Sequence, residues 1–298
     1  MTCTATSTGG TSSKSVTIKR DATPPTIAFG SLTPGANANG WNNTDVVVSF
    51  NGSDTLSGIA SCSTPVTLSS EGAGQSAAGT CADKAGNVSA LATASGINID
   101  KTVPTLISSV SPNPALLNGS ATASTGATDS LSGIASQGCG ALDTSNVGSK
   151  TVTCTATDNA GNTASQAVAY SVQYASAGTC YGAPGHAILQ PINADGSSVF
   201  KWKSTVPAKF RVCDATGYSI GTPGVVSSFK LIQKAAGTAT DVDEAVDSTT
   251  PDAAFRWDST SQQWIFNMST NSLSASLTYY YRITLNDGTN IDFKLGLK

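Results

Sequence analysis

Seven cysteines, six aspartates at recurring places and a single histidine are the residues of this 298-residue chain whose types and spacing could do chemistry. The cysteines stand at Cys3, Cys62, Cys81, Cys139, Cys154, Cys180 and Cys213. None forms a C-x-x-C pair, so the spacing of a zinc site is missing. Each unit of the chain holds one local pair: Cys62 with Cys81, Cys139 with Cys154, Cys180 with Cys213. One disulfide per unit of an exported protein accounts for them. Reduced thiols in a cytosolic protein are the competing account. Cys3 is left over. It aligns with Cys81 and Cys154, each the second member of its pair. Its partner is therefore expected ahead of Met1, in a chain that begins inside a repeat.

The aspartates recur in the same order. Asp54 and Asp129 each precede Leu-Ser-Gly-Ile, Asp83 and Asp158 each open a turn, and Asp21 and Asp100 sit at junctions. Two chemistries suit them. An aspartate caps a turn by bonding its own backbone. Alternatively, carboxylates near a junction share a calcium ion, which takes six to eight oxygens, and stiffen it. Turn capping is the first expectation, so no cofactor is required, with structural calcium as the alternative. Catalysis finds little support. His186 lies in the turn-like Ala183-Pro184-Gly185-His186, whereas a Ser-His-Asp device needs a histidine held by a carboxylate. The two glutamates, Glu71 and Glu244, stand in loop-like contexts, and no aspartate spacing selects a glycosidase pair. No glycine loop follows a strand and opens a helix, as phosphate binding would need. The chain is expected not to be an enzyme.

These residues are positioned by a repeat. Cys81 and Cys154 are 73 positions apart, and Asp54 and Asp129 are 75 apart. Two landmarks in one order with nearly equal offsets mark similar units of about the size of a small β-sandwich. Charged residues make up only 12% of the chain, and Ser, Thr, Gly, Ala and Asn take the surface positions. Such surfaces suit strands and turns rather than helices. A net charge of −3 without a basic patch leaves no footprint for nucleic acid. No apolar run approaches the roughly 18 residues of a membrane span.

The chain order follows from strand and turn signals. Residues 1–24 read as the remnant of a truncated repeat, with Cys3 and Val16-Thr17-Ile18 in strands. Residues 25–101 form one repeat and 102–174 a second. Asp21 to Pro25 and Asp100 to Pro104 are short proline-stiffened links. In the second repeat Val152, Cys154 and Ala156 alternate with threonines, which places the first set inward. Val168, Tyr170 and Val172 do the same on the closing strand. Asp158-Asn159-Ala160-Gly161-Asn162 between them is a hairpin turn. Residues 175–298 hold Trp202, Trp257 and Trp264 and read as a further β-sandwich with a fuller aromatic core. Trp257 and Trp264 are assigned to that core. The acidic run Asp241-Val242-Asp243-Glu244 with Asp247 reads as a solvated connection. The fold class is all-β, a tandem array of immunoglobulin-like sandwiches expected to be elongated and monomeric.

The segment Gly148-Ser149-Lys150-Thr151-Val152-Thr153-Cys154-Thr155-Ala156-Thr157-Asp158-Asn159-Ala160-Gly161-Asn162, with Cys139 ahead of it, resembles bacterial immunoglobulin-like modules of the hyalin-repeat (HYR) type. The first repeat keeps Cys62, Cys81 and Asp83-Lys84-Ala85-Gly86-Asn87 but lacks the Thr-Val-Thr strand. The C-terminal region is similar to the PxKF domain through Pro207-Ala208-Lys209-Phe210, with Phe255-Arg256-Trp257-Asp258 and Ile265-Phe266-Asn267 also agreeing. These resemblances imply secreted or cell-surface modules of adhesion or spacing, and no reaction. The expected function is a non-catalytic extracellular structural or adhesion module, the C-terminal part of a larger bacterial protein. The alternative is the carbohydrate-binding tail of a secreted hydrolase whose catalytic domain lies upstream. The expected partner is an extracellular protein or polysaccharide surface.

Overall fold

The computed structural model describes residues 2–251 and 253–298. Met1, which opens the 1–24 remnant, lies outside them. Among the described residues the chain is all-β, without a helix, and therefore without one long and apolar enough to cross a membrane. The chain packs as two units. One holds residues 1–106, 127–137 and 155–164; the other holds 107–126, 138–154 and 165–298. Segments 1–24 and 25–101 thus fall in the first unit and 175–298 in the second. The 102–174 segment is shared, and its strands Gly148–Asp158 and Thr163–Gln173 carry residues of both.

The first unit opens with a hairpin, Thr2–Ser7 against Gly10–Ser15, every residue of which is exposed. Val16-Thr17-Ile18 is not a strand, contrary to expectation; Val16 and Ile18 are 56% and 68% exposed. β-branched residues favour strands by packing on a pleated surface, and these two are not buried against one. Next comes a three-stranded sheet of Thr26–Thr33, Val46–Ser53 and Val66–Leu68, followed by the pairs Ile59–Cys62 with Cys81–Asp83 and Gly72–Gly79 with Ala92–Ile99. Alternation puts Val46, Val48 and Phe50 inward, where they meet Ala77, Ala94, Ile97 and Ile99. The core is thin, and glycine makes room in it. A Cβ at Gly79 would stand 2.7 Å from the Phe50 ring. Cys62 and Cys81 lie directly opposite in register and are disulfide-bonded.

In the second unit Cys139 is bonded to Cys154 and Cys180 to Cys213. Val152 and Cys154 are buried while Thr151 and Thr153 are exposed, as the alternation requires. The C-terminal region forms two large sheets, besides the short pair Thr179–Cys180 with Ala183–Pro184. One runs Ile188–Leu189, Thr205–Phe210, Gln263–Ser269, Arg256–Asp258; the other runs Val199–Phe200, Asn290–Leu297, Thr278–Leu285, Val226–Ala236, Thr238–Ala245. Between them Phe210, Phe229, Phe255, Phe266, Tyr281 and Phe293 form an aromatic chain with ring centroids 5.1–6.0 Å apart. Trp264 is buried, donates its indole N–H to the Ile220 carbonyl and lies 5.4 Å from the Trp257 ring. The acidic run Asp241-Val242-Asp243-Glu244 is not a loop, although Asp247 lies outside the strands. The run belongs to the edge strand Thr238–Ala245, paired with Val226–Ala236, where Lys230 meets Asp243 and Lys234 meets Glu244. A strand exposed on both faces shows no alternation, which hid it.

Candidate metal centre

The six recurrent aspartates gather into two triads, both in the first unit. Asp21, Asp54 and Asp83 form one, and Asp100, Asp129 and Asp158 the other. Within each, one ligand oxygen per residue lies within 4.8 Å of the other two. Asp83, Asp100 and Asp158 are buried.

Each triad is built from the same three pieces. The first is the junction aspartate. Asp21 accepts the Thr23 N–H at 3.0 Å and the Ser57 N–H at 3.1 Å. Asp100 accepts those of Thr102 and Ser132 at 3.1 and 3.0 Å. The second is the Asp-x-Leu-Ser-Gly turn. Asp54 Oδ1 takes the N–H groups of Leu56, Ser57 and Gly58, and Asp129 Oδ1 takes those of Leu131 and Gly133. Glycine closes both turns at positive φ, 75° at Gly58 and 77° at Gly133, where a side chain would be strained. The third is the Asp-x-Ala-Gly-Asn hairpin turn. Asp83 Oδ1 accepts the Ala85 and Asn87 N–H groups, and Asp158 Oδ1 those of Gly161 and Asn162.

Two residues of this arrangement, Asn87 and Asn162, were not singled out as site residues in the sequence. The Asn162 side chain donates to Asp158 Oδ2 at 2.8 Å and also to the Asp100 carbonyl at 2.9 Å. Asn87 does the same for Asp83 Oδ2 and, at 3.4 Å, for the Asp21 carbonyl. The last residue of each turn therefore clasps the link that enters its own repeat. The offset of 75 between Asn87 and Asn162 was the available signal. A second tie joins Asn37 to the Asn159 carbonyl at 2.8 Å.

These bonds shift the proton affinities of Asp21 and Asp83. The Ser57 side chain foremost, then the Thr23 N–H, holds Asp21 below the ordinary carboxylate range. Burial pushes Asp83 up, but the Asn87 side chain and the N–H groups of Asn87 and Ala85 outweigh it and hold it low. Near-neutral solution thus finds Asp21 and Asp83 ionised, with no cationic side chain bonded to either among the described residues. Oxygen-only donor sets of this kind suit a hard divalent cation.

The other candidate residues lie elsewhere. Cys3 is exposed and free of a disulfide. A ring nitrogen of His186 sits 3.2 Å from the Asn290 carbonyl, and no carboxylate bonds to that ring among the described residues. Trp202, 37% exposed, donates its N–H to the Leu273 carbonyl and has the Lys203 ammonium 4.3 Å from its ring centroid.

No family model matches the chain, and no curated protein matches it. These comparisons therefore do not show the HYR and PxKF resemblances. Among solved structures, the chain is similar to the tetra-tandem repeat in the extending region of a large adhesion protein. The identity is 15%, coverage is 98% of this chain and 79% of that one, and the TM-score is 0.32. It is also similar to the fibronectin(III)-like modules of Clostridium thermocellum CbhA, at 10% identity, covering 92% and 94%, with a TM-score of 0.20. A third is SGBP-B of the Bacteroides ovatus mixed-linkage glucan utilization locus, in complex with a mixed-linkage heptasaccharide. It is 11% identical, with 94% and 71% covered and a TM-score of 0.20. TM-scores this low carry no weight for function.

Proposed function

We propose that this protein is a non-catalytic extracellular spacer or adhesion module, and that its two aspartate triads bind calcium and hold the links between repeats straight. One observation carries the reading: the same arrangement of junction aspartate, Asp-x-Leu-Ser-Gly turn and Asp-x-Ala-Gly-Asn turn is built twice, each time around a link. Turn capping explains one oxygen of Asp54 and of Asp129, while both oxygens of the other four aspartates accept hydrogen bonds. It does not require three carboxylates to converge, and a divalent cation would offset their mutual repulsion. Every backbone donor that reaches Asp54 or Asp129 binds Oδ1, which leaves Oδ2 of each for a cation. Disulfides in both repeats and in the C-terminal region agree with an oxidising compartment outside the cell.

The test is thermal melting with calcium and with a chelator. Calcium binding to the folded state alone raises stability by mass action, about 2.7 kcal/mol at a hundredfold excess over Kd. The parent is expected to melt higher in calcium, and an Asp54→Asn, Asp129→Asn double variant to lose most of that rise. Equal melting temperatures with calcium and with chelator would end the calcium reading and leave the aspartates as turn caps.

A further inference from the structure

The second unit contains a cleft that the spacer reading does not use. It has a volume of about 370 Å³, and its polar lining comes from Asn118, Ser145, Asn146, Tyr174, Thr222 and Asn286. Leu117 and Ile220 add apolar surface to the same cleft. We infer that this cleft binds a neutral saccharide.

The chemistry of the lining selects the ligand class. No charged side chain contributes to it, so an anionic or cationic ligand would find no counter-charge. Amide side chains both donate and accept, as sugar hydroxyls do.

The amides are also held in place before any ligand arrives. Asn118 donates its side-chain N–H to Asp214 Oδ2 at 3.0 Å and its backbone N–H to the Thr144 carbonyl at 2.8 Å. Its Oδ1 takes no hydrogen bond among the described residues and stays available as an acceptor. Asn286 Oδ1 accepts the Tyr174 hydroxyl at 2.9 Å, and its backbone N–H reaches the Val225 carbonyl. That bond orients the Asn286 amide so that its NH₂ is the free group. Burial first, then the Asp287 charge, pushes the Tyr174 phenol up to about 12, against the Asn286 bond, so it remains a donor at neutral pH. Asn146 donates to its neighbour Ser145 at 3.0 Å, which leaves its Oδ1. The result is one free donor and two free acceptors on exposed side chains that are each hydrogen-bonded at their other end. Groups already ordered cost little to order on binding.

This inference stands apart from the calcium reading, and its test is run in chelator. The full chain, labelled with ¹⁵N, is titrated with neutral glucan and xylan oligosaccharides at millimolar concentration, with an oligogalacturonate as the charged control. The side-chain NH₂ signals of Asn118, Asn146 and Asn286 are expected to shift with a neutral sugar and to stay in place with the charged one. Asn146→Ala is expected to weaken binding about tenfold, equivalent to about 1.4 kcal/mol, without moving the melting temperature. Thr222→Trp, which fills the cleft, is expected to abolish binding. Three results would overturn the inference: no shift with any neutral oligosaccharide, shifts confined to residues outside the cleft, or parent-like binding by both variants.

Discussion

Asp83 shows in one residue how the joints depend on ionisation. Its carboxyl is buried, yet bonds from Asn87 and Ala85 favour the charged form. A carboxyl whose folded pKa lies below its unfolded value of about 3.9 stabilises the fold above that value. The stabilisation is lost as pH falls through the lower, folded value. Melting temperature in chelator is therefore expected to hold from neutral pH down to about pH 4 and to drop below it. Asp83→Asn should melt lower than the parent at pH 6, with a shallower fall between pH 4 and pH 2. Parallel curves for the two proteins would show that Asp83 is not the group responsible. Cys62, Cys81, Cys139, Cys154, Cys180 and Cys213 were legible at this scale because each disulfide joins cysteines near in sequence, at separations of 19, 15 and 33. The clasp made by Asn162 was not, because its partner carbonyl on Asp100 lies 62 residues away. Spacing shows that a turn repeats but not what the turn reaches.

At the scale of elements, legibility followed burial. Strands with one face in a core announce themselves: Thr278–Leu285 alternates half-buried and buried along its whole length. The strand Thr238–Ala245, exposed at nearly every position, looked like a loop. Gly72–Gly79 was missed for a related reason. Its residues are small, and glycine stands where the Phe50 ring of the facing sheet needs space. A methyl group at Gly79 would collide with that ring, so Gly79→Ala is expected to cost about 1–3 kcal/mol, the usual penalty of overpacking. Gly35, which meets nothing within 4 Å, supplies the control. Gly35→Ala should change stability by less than about 0.5 kcal/mol. Urea unfolding of the two variants distinguishes a packing role from a general preference for glycine.

On the scale of the molecule, the second unit ties part of a repeat to the terminal region. Leu117, Tyr170 and Tyr174 belong to the same apolar cluster as Ile220, Val225 and Leu285. Hydrogen bonds add to this: the Tyr174 N–H reaches Asp287 Oδ2 at 2.9 Å, and the Ala215 N–H reaches the Leu117 carbonyl at 2.9 Å. Leu117→Ala is therefore expected to cost about 2–5 kcal/mol and to lower the melting of the region that holds Trp202, Trp257 and Trp264. Tryptophan fluorescence reads that transition directly, and an unchanged midpoint would mean that the two parts unfold separately.

The disulfides have a mechanical consequence. Each closes a short stretch of chain, and a closed stretch cannot pay out when the protein is pulled from its ends. The 19 positions between Cys62 and Cys81 amount to roughly 65 Å of extended chain that stays out of reach of force while the bond is intact. In a single-molecule pulling experiment the oxidised repeat should lengthen by about that much less than the reduced one. In an oxidising medium the bridges act as built-in stops, limiting how far a tether can run out after a repeat gives way.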